Sequence, residues 1–427
     1  MTFKINTIDW RNETIPIRRP APNEANIFTM LIGKNAIGKT RALGKISNAC
    51  LFEPSLSWDD EQQISIEGKP SQVIAVSNSR FDRFPDPSRV DEKRFSVPYH
   101  YLGMAGFRAS PQAVLSKSVG AFLRAGREKE HSMHVAEILR YLGFLPTCQV
   151  GFRRPHQRKP NGAIGRHEHA LSEIQRALTV NNFDKKWDFN IEDLVERLVY
   201  LDEVTKNLVF AVDLSLPWGN DSFNQFISLA EPLILAGVLD LRDLLLYVEA
   251  TKDKVPLRHA SSGQQCMLLM MLGLIGLLDD NSLVCIDEPE ISLHPRWQAE
   301  FISIVQRLAA PYYGCHFIIA THSPQIVAGL SANYGYILDL ENGLLHDASE
   351  YTKRSADFQL AEVFNEPGFK NEYLIRVLLS LLAKITKGQN LSYEDRLLLK
   401  QVELIKDRLT TNDPVRHLFD QVKQLSS

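Results

Sequence analysis

The sequence predicts an α/β fold, an open mixed sheet with flanking helices. Three observations predict it. Residues 27–32 are wholly apolar but for Thr29, and the run Gly33-Lys34-Asn35-Ala36-Ile37-Gly38-Lys39-Thr40 follows at once. Residues 283–286 read Leu-Val-Cys-Ile, and the acidic pair Asp287-Glu288 stands at their end. Residues 315–320 form a third run, apolar but for His316, which leads into Thr321-His322-Ser323-Pro324. Short apolar runs of this kind are strands buried on both faces. An open parallel sheet presents its chemistry at the C-terminal ends of such strands.

Composition sets the frame. The 427 residues are 44% hydrophobic and 23% charged, with a net charge of −3. That is ordinary for a soluble protein, and any nucleic-acid contact must come from a local basic patch. The five cysteines are odd in number, scattered and without a CxxC pair. They read as reduced thiols in a cytoplasmic protein and argue against a structural zinc. The N-terminal residues lack the apolar core of a signal peptide, and the most apolar stretch, 267–278, is too short to span a bilayer, so no membrane role is expected.

Taken in order, residues 3–8 and 13–18 read as short strands, 27–32 as a core strand and 40–50 as a helix. The loop between strand and helix fits GxxxxGK[ST] in full. Its glycines let successive N–H groups turn toward phosphate oxygens. Gly33, Lys34, Asn35, Ala36 and Gly38 would form the cradle, with Lys39 meeting the β and γ phosphates and Thr40 offering a hydroxyl to Mg2+. The helix would aim its positive end at the same phosphates. The expected cofactors are therefore ATP and Mg2+.

Residues 51–70 are polar, and 73–76 form another buried strand leading into Ser77-Asn78-Ser79. Asn78 or Ser77 is either a magnesium or water ligand or a turn residue bonding its own backbone. From 105 to 250 helical patterns predominate, at 111–127, 132–142, 167–179, 191–209 and 222–249, which predicts a helical insertion. Between them the loop 151–162 holds Arg153, Arg154, Arg158 and Lys159 with no acid, so it is either a grip on a phosphate backbone or a solvated loop.

Ser261 and Ser262, followed by Gly263 and Gln264, precede an apolar helix at 266–278. They suit an ordinary helix cap and equally a second anion site. At the end of the 283–286 strand, Asp287 is placed to hold magnesium and Glu288 to polarise an attacking water. Pro295 suits the first turn of a helix reaching about 308. His322, just past a core strand, can contact a γ phosphate or the attacking water. Residues 334–340 read as the last strand and 355–427 as a charged helical region. The expected division is 1–104 and 251–345 for the two halves of the core, 105–250 for the insertion and 346–427 for the helical C-terminal region.

These motifs resemble, in kind and order, those of ABC-type ATPases. The Walker A loop is at 33–40, a signature at 260–264, Walker B at 283–288, a D-loop near 292–294 and a switch histidine at 322. The signature reads Ala-Ser-Ser-Gly-Gln and departs from LSGGQ at its start. The run DEPEISLHP with THSP is similar to the branch that includes Old-family and RecF/SMC-like ATPases. Within it, the segments SNSRFDRFP and YHYLGMAG resemble the stand-alone ATPases of Septu-type and retron-linked anti-phage systems. The resemblance implies catalysis by Glu288 and His322. It also implies self-association as a head-to-tail dimer or higher oligomer, in which Ser261, Ser262, Gly263 and Gln264 of one copy close over ATP held by another. It further implies a separate HNH nuclease partner, since residues 341–427 show neither an HNH pattern nor the paired-Asp strand of a Toprim nuclease. A RecF/SMC-like DNA-repair ATPase is the alternative, and a transporter nucleotide-binding subunit a more distant one. No long heptad arm of the SMC kind is present.

Overall fold

The computed structural model describes residues 3–52, 64–79, 81–86, 94–103, 129–155, 165–180, 190–204, 208–213, 228–230, 232–234, 236–331, 333–352, 354–364 and 366–426. The chain divides into two compact units, one formed by Met1–Tyr101 with Asp279–Ser427 and the other by Leu102–Leu278. The expected helix at 111–127 lies outside the described residues.

The first unit begins with β1 (Lys4–Trp10), β2 (Glu13–Pro16) and β3 (Ile27–Ile32), then α1 (Lys39–Leu51), β4 (Ile64–Glu67), β5 (Val73–Ser77) and, at its boundary, β6 (Tyr99–Gly103). Strands β2, β1 and β4 pair antiparallel into a small sheet. The alternation of buried and less buried side chains along β1 fits a sheet with one covered face.

The second unit holds α2 (Lys129–Tyr141), β7 (Phe144–Arg153), α3 (Arg166–Val180), α4 (Ile191–Val204), β8 (Val209–Asp213), β9 (Asp240–Val248), β10 (Lys254–Pro256) and α5 (Ser262–Leu277). Its four strands form an antiparallel sheet in the order β10-β9-β7-β8. The insertion is therefore helical only in part. The helix expected over 191–209 stops at Val204, and Val209–Asp213 is a strand instead. The helix expected over 222–249 yields to β9 from Asp240 onward. Val-Phe-Ala-Val is a β-branched and aromatic run that favours a pleated surface. The leucines of β9 have no such local preference, and β7, far off in sequence, recruits them by pairing.

The chain then returns to the first unit with β11 (Leu283–Asp287), α6 (Pro295–Ala309), β12 (His316–Ala320), α7 (Pro324–Gly329), β13 (Gly335–Asp339) and β14 (Leu344–Asp347). The strand expected to be last is thus followed by another, because the turn at 340–343 folds β14 back antiparallel on β13. The central sheet runs β14-β13-β3-β12-β11-β5-β6. Within it β13, β3, β12, β11 and β5 are mutually parallel neighbours. All residues of β3, β5, β11, β12 and β13 are buried. With Asp287 level with both Ala320 and Ser77, and Ala320 with Leu31, these strands end at one common edge.

The C-terminal region is helical as expected, with α8 (Glu372–Thr386), α9 (Tyr393–Ile405) and α10 (Pro414–Ser426). Leu374, Leu378 and Leu381 form one stripe of α8 and share a core with Val402, Phe419 and Val422.

Candidate functional site

The parallel strands all deliver residues to that common edge. Strand β3 opens into the loop 33–38, which needs unusual backbone: φ is 135° at Gly33, 64° at Ala36 and 108° at Gly38. Space enforces the glycine at 38 as well, since a Cβ there would lie 2.8 Å from the Trp10 ring. Lys34, Asn35 and Ala36 are exposed at the crown of the loop. Lys39 turns inward beneath it, donating to Gly33 O at 2.9 Å and lying 3.4 Å from His322 Nδ1. Burial lowers its pKa to about 8, against the raising pull of Glu288, Glu290, Asp287 and Glu341. It therefore remains an ammonium at neutral pH.

Beside the loop, Thr40 Oγ1 donates to Asp287 Oδ1 at 3.0 Å. The other carboxylate oxygen, Asp287 Oδ2, is buried with no hydrogen-bond partner. Burial raises the pKa of Asp287 to about 7, with the Thr40 hydrogen bond opposing and Glu288 adding to the rise. Buried acceptors are ordinarily satisfied, so an orphaned carboxylate oxygen next to a hydroxyl marks room for a cation. No cluster of three His, Cys, Asp or Glu able to hold a metal occurs among the described residues. Thr40 and Asp287 would thus share a metal with phosphate oxygens and water, which suits magnesium.

Glu288 sits one residue beyond, in left-handed backbone at φ 48°. Its N–H still pairs with Ala320 O at 2.9 Å, so the turn away from the sheet begins at its own Cα. Asn78, at the end of β5, donates to Pro289 O at 3.4 Å. Ser77 Oγ accepts the Ser79 N–H at 3.0 Å, the turn geometry that was one of its two readings. His322 has its pKa lowered to about 4 by burial and by Lys39. It is neutral, and Nδ1 can accept from the Lys39 ammonium.

Two acids here went unassigned in the sequence. Glu290 accepts the Thr321 hydroxyl at 2.9 Å and the His322 N–H at 2.5 Å. Glu341, from the turn after β13, accepts the Lys34 N–H at 2.8 Å and pairs with Lys34 Nζ at 3.2 Å. Glu290 had a signal, since it follows the acidic pair by two residues. Glu341 had none, because only the β13–β3 pairing brings it to the loop.

The signature belongs to the second unit. Ser261 caps α5 in a reciprocal box: its Oγ accepts the Gln264 N–H at 3.3 Å, and Gln264 Oε1 accepts the Ser261 N–H at 3.0 Å. Gln264 Nε2 also donates to Leu142 O at 3.0 Å. Ser261 and Ser262 are exposed, and Gly263 is buried.

The basic loop is corrected in part. Arg154 is 5% exposed and pairs with Glu173 and Asp202. A buried guanidinium must find carboxylates, and these two come from α3 and α4. It is not available to a phosphate backbone. Arg153 is exposed and lies 3.5 Å from Asp240. Arg158 and Lys159 lie outside the described residues.

Part of the chain that bears this site is similar to known proteins. Residues 153–328 match a family model described as "AAA domain, putative AbiEii toxin, Type IV TA system". Over this segment the chain is similar to an AAA-type ATPase domain. The match includes Ser262, Asp287, Glu288 and His322, and the loop at 33–40 precedes it. The chain is 29% identical over 167 residues to the Septu protein PtuA of Bacillus mycoides (strain KBAB4), covering 37% of this chain and 22% of the relative. It is 29% identical over 117 residues to the "Retron Vc95 probable ATPase" of Vibrio cholerae serotype O1 biovar El Tor, covering 26% of this chain and 22% of the relative. The chain thus spans about a fifth of the length of either relative. The Smc head domain of Pyrococcus furiosus, solved with the C-terminal domain of ScpA, aligns over 82% of this chain and 97% of its own, at 10% identity and a TM-score of 0.31. No helix among the described residues is long and apolar enough to cross a membrane.

Proposed function

We propose that this protein binds and hydrolyses ATP at the C-terminal edge of its parallel strands and that nucleotide state regulates a separate nuclease in anti-phage defence. The observation that carries the ATP site is the orphaned Asp287 Oδ2 beside the Thr40 hydroxyl, with the Lys39 ammonium buried nearby. Thr40 and Asp287 would hold Mg2+, which when bound supplies charge neutralisation for the phosphates. Lys39 binds the β and γ phosphates as a point charge, and the loop N–H groups orient them. Glu288 takes the proton of the attacking water. Neutral His322 orients the γ phosphate or that water.

Ser262 and Gly263 of a second copy would close over the nucleotide, which makes the working unit a head-to-tail dimer or higher oligomer. Such closure moves helices as rigid bodies, so the nucleotide state biases what the partner sees. The likeness to the Septu and retron proteins supports the defence role and a separate partner; that the partner is a nuclease and that both act in the cytoplasm are part of the proposal. Arg153, Arg158 and Lys159 would add any nucleic-acid grip, without Arg154.

Phosphate release and light scattering on wild type and Glu288→Gln test this reading. The variant should keep ATP, turn over about 10²- to 10⁴-fold more slowly and accumulate as a closed dimer. Full hydrolysis by the variant, or a monomer in every nucleotide state, contradicts it. Co-expression with the neighbouring genes tests the partner. A chain that alone cleaves DNA or tRNA, with activity lost in Lys39→Ala, would overturn the regulatory role.

A further inference from the structure

We infer that Glu290 is a positioning residue, which holds the Thr321–His322 turn so that His322 Nδ1 meets Lys39. Its kinetic consequence rests on the ATPase reading above. The chain leaves β11 after the Glu288 N–H has paired with Ala320 O, then closes two tight turns, Ile291 N to Glu288 O at 3.2 Å and Leu293 N to Glu290 O at 3.0 Å. These turns bring Glu290 back over the end of β12. There its carboxylate is divided between two donors of one segment, Oε2 accepting the Thr321 hydroxyl and Oε1 the His322 N–H.

Thr321 passes the constraint on. It is fully buried, its N–H donates to Leu31 O at 3.2 Å, and its Oγ1 accepts the Ser323 N–H at 3.0 Å. Ser323 in turn caps α7 by accepting the Ile326 N–H at 3.3 Å. The backbone around His322 is thus tied at the residue itself, one before and one after. With that backbone set, the imidazole reaches Lys39 Nζ at 3.4 Å.

Each Glu290 oxygen already accepts one of these hydrogen bonds, which ties the carboxylate to the turn. Glu288 makes no side-chain hydrogen bond among the described residues, which leaves it free to take a proton from water. The two acids of this turn therefore divide the work, one toward the attacking water and one toward the geometry of the switch residue. Misplacing a group by about 1 Å costs on the order of a hundredfold in rate.

The test compares wild type, Glu288→Gln, Glu290→Ala and Glu290→Gln in three readouts: ATP affinity, kcat, and amide hydrogen exchange in the segment holding His322. In Glu290→Ala, kcat should fall about tenfold to a hundredfold, ATP affinity should stay within about threefold and exchange at His322 should speed up. Glu290→Gln can still accept the His322 N–H and can donate to Thr321 Oγ1. It should recover most of the rate and the slow exchange. The inference is overturned if Glu290→Gln is as inactive as Glu288→Gln, which makes Glu290 a base, or if Glu290→Ala keeps both wild-type kcat and wild-type exchange. If Glu290→Ala does not fold, the Gln variant decides between the two roles. A wild type that fails to hydrolyse ATP sinks the ATPase reading alone. The exchange comparison then decides the positioning role, which unchanged exchange in Glu290→Ala would refute.

Discussion

His316 and His322 stand at opposite ends of β12, the first buried and the second half-buried, and both are held neutral, yet they have different meanings. His316 is wholly buried, with a pKa lowered to about 3 by burial and by Lys4 and Arg18. Both of its ring nitrogens are satisfied from within the chain. Its Nδ1 accepts the Ile5 N–H at 3.5 Å, and Nε2 meets Thr29 Oγ1 at 3.2 Å. Because Thr29 Oγ1 donates to Ile17 O at 2.7 Å, Nε2 must carry the proton. Lys4 nearby donates to Ala25 O at 2.6 Å. At the other end His322 faces Lys39, and Asp287 Oδ2 has no partner. Left-handed backbone occurs there at Ala36, Glu288 and Ser292, and at the His316 end at Asn281 and Tyr334. A shifted pKa is common to both ends and so identifies neither. What separates them is the chemistry of the unsatisfied atom: Asp287 Oδ2 belongs to an acid beside the Thr40 hydroxyl, whereas the orphaned atom at the His316 end, Asn281 Oδ1, is a neutral amide oxygen.

The sharpest way to break this comparison is to change each end and read both function and stability. Glu288→Gln gives the largest effect, a loss of turnover of about 10²- to 10⁴-fold with little change in folding stability. Lys39→Ala comes next. Removing a charge-assisted contact to the phosphates should weaken ATP binding by about 1.5–3 kcal/mol, seen in calorimetry. At the opposite end Thr29→Val should do the reverse. It strands Ile17 O and His316 Nε2, lowers stability by about 1–3 kcal/mol in chemical denaturation and leaves ATP affinity alone. A Thr29 variant with weakened ATP binding would blur the two ends into one site.

The last effect is in pH. A base whose folded pKa is depressed is protonated in the unfolded chain first, so between about pH 3 and 6.5 the unfolded state binds the extra proton at position 316. Stability therefore falls as pH drops through that window, by up to about 1.4 kcal/mol per pH unit for one such group. Asp287, with its raised pKa, contributes the opposite slope, so the comparison is between wild type and His316→Gln. The variant should lose about one proton's worth of slope. Identical slopes would show that His316 is not held neutral by the fold.

Much of the functional end was legible because phosphate and magnesium chemistry demands particular residues at fixed spacing. Gly33 to Thr40, Asp287, Glu288 and His322 lie where the strand order requires, and the structure gathers them. What stayed hidden depends on contacts distant in sequence. Arg154 read as one of four loop cations, and only Glu173 and Asp202 on other elements reveal it as a buried ion pair. The leucines of β9 read as a helix until β7 pairs with them. By contrast Val209–Asp213 carried its strand signal openly, in β-branched and aromatic residues. Glu290 was visible as a residue and invisible as a role, because its role lies in the hydrogen bonds it accepts from the next strand's end.

The most direct test of the central claim is a calorimetric titration of ATP into wild type and into Asp287→Asn, each with magnesium and with a chelator. If the orphaned oxygen of Asp287 awaits a cation, magnesium will tighten ATP binding to wild type and have far less effect on the variant. The same magnesium dependence in both proteins, or no binding by wild type under either condition, would contradict it.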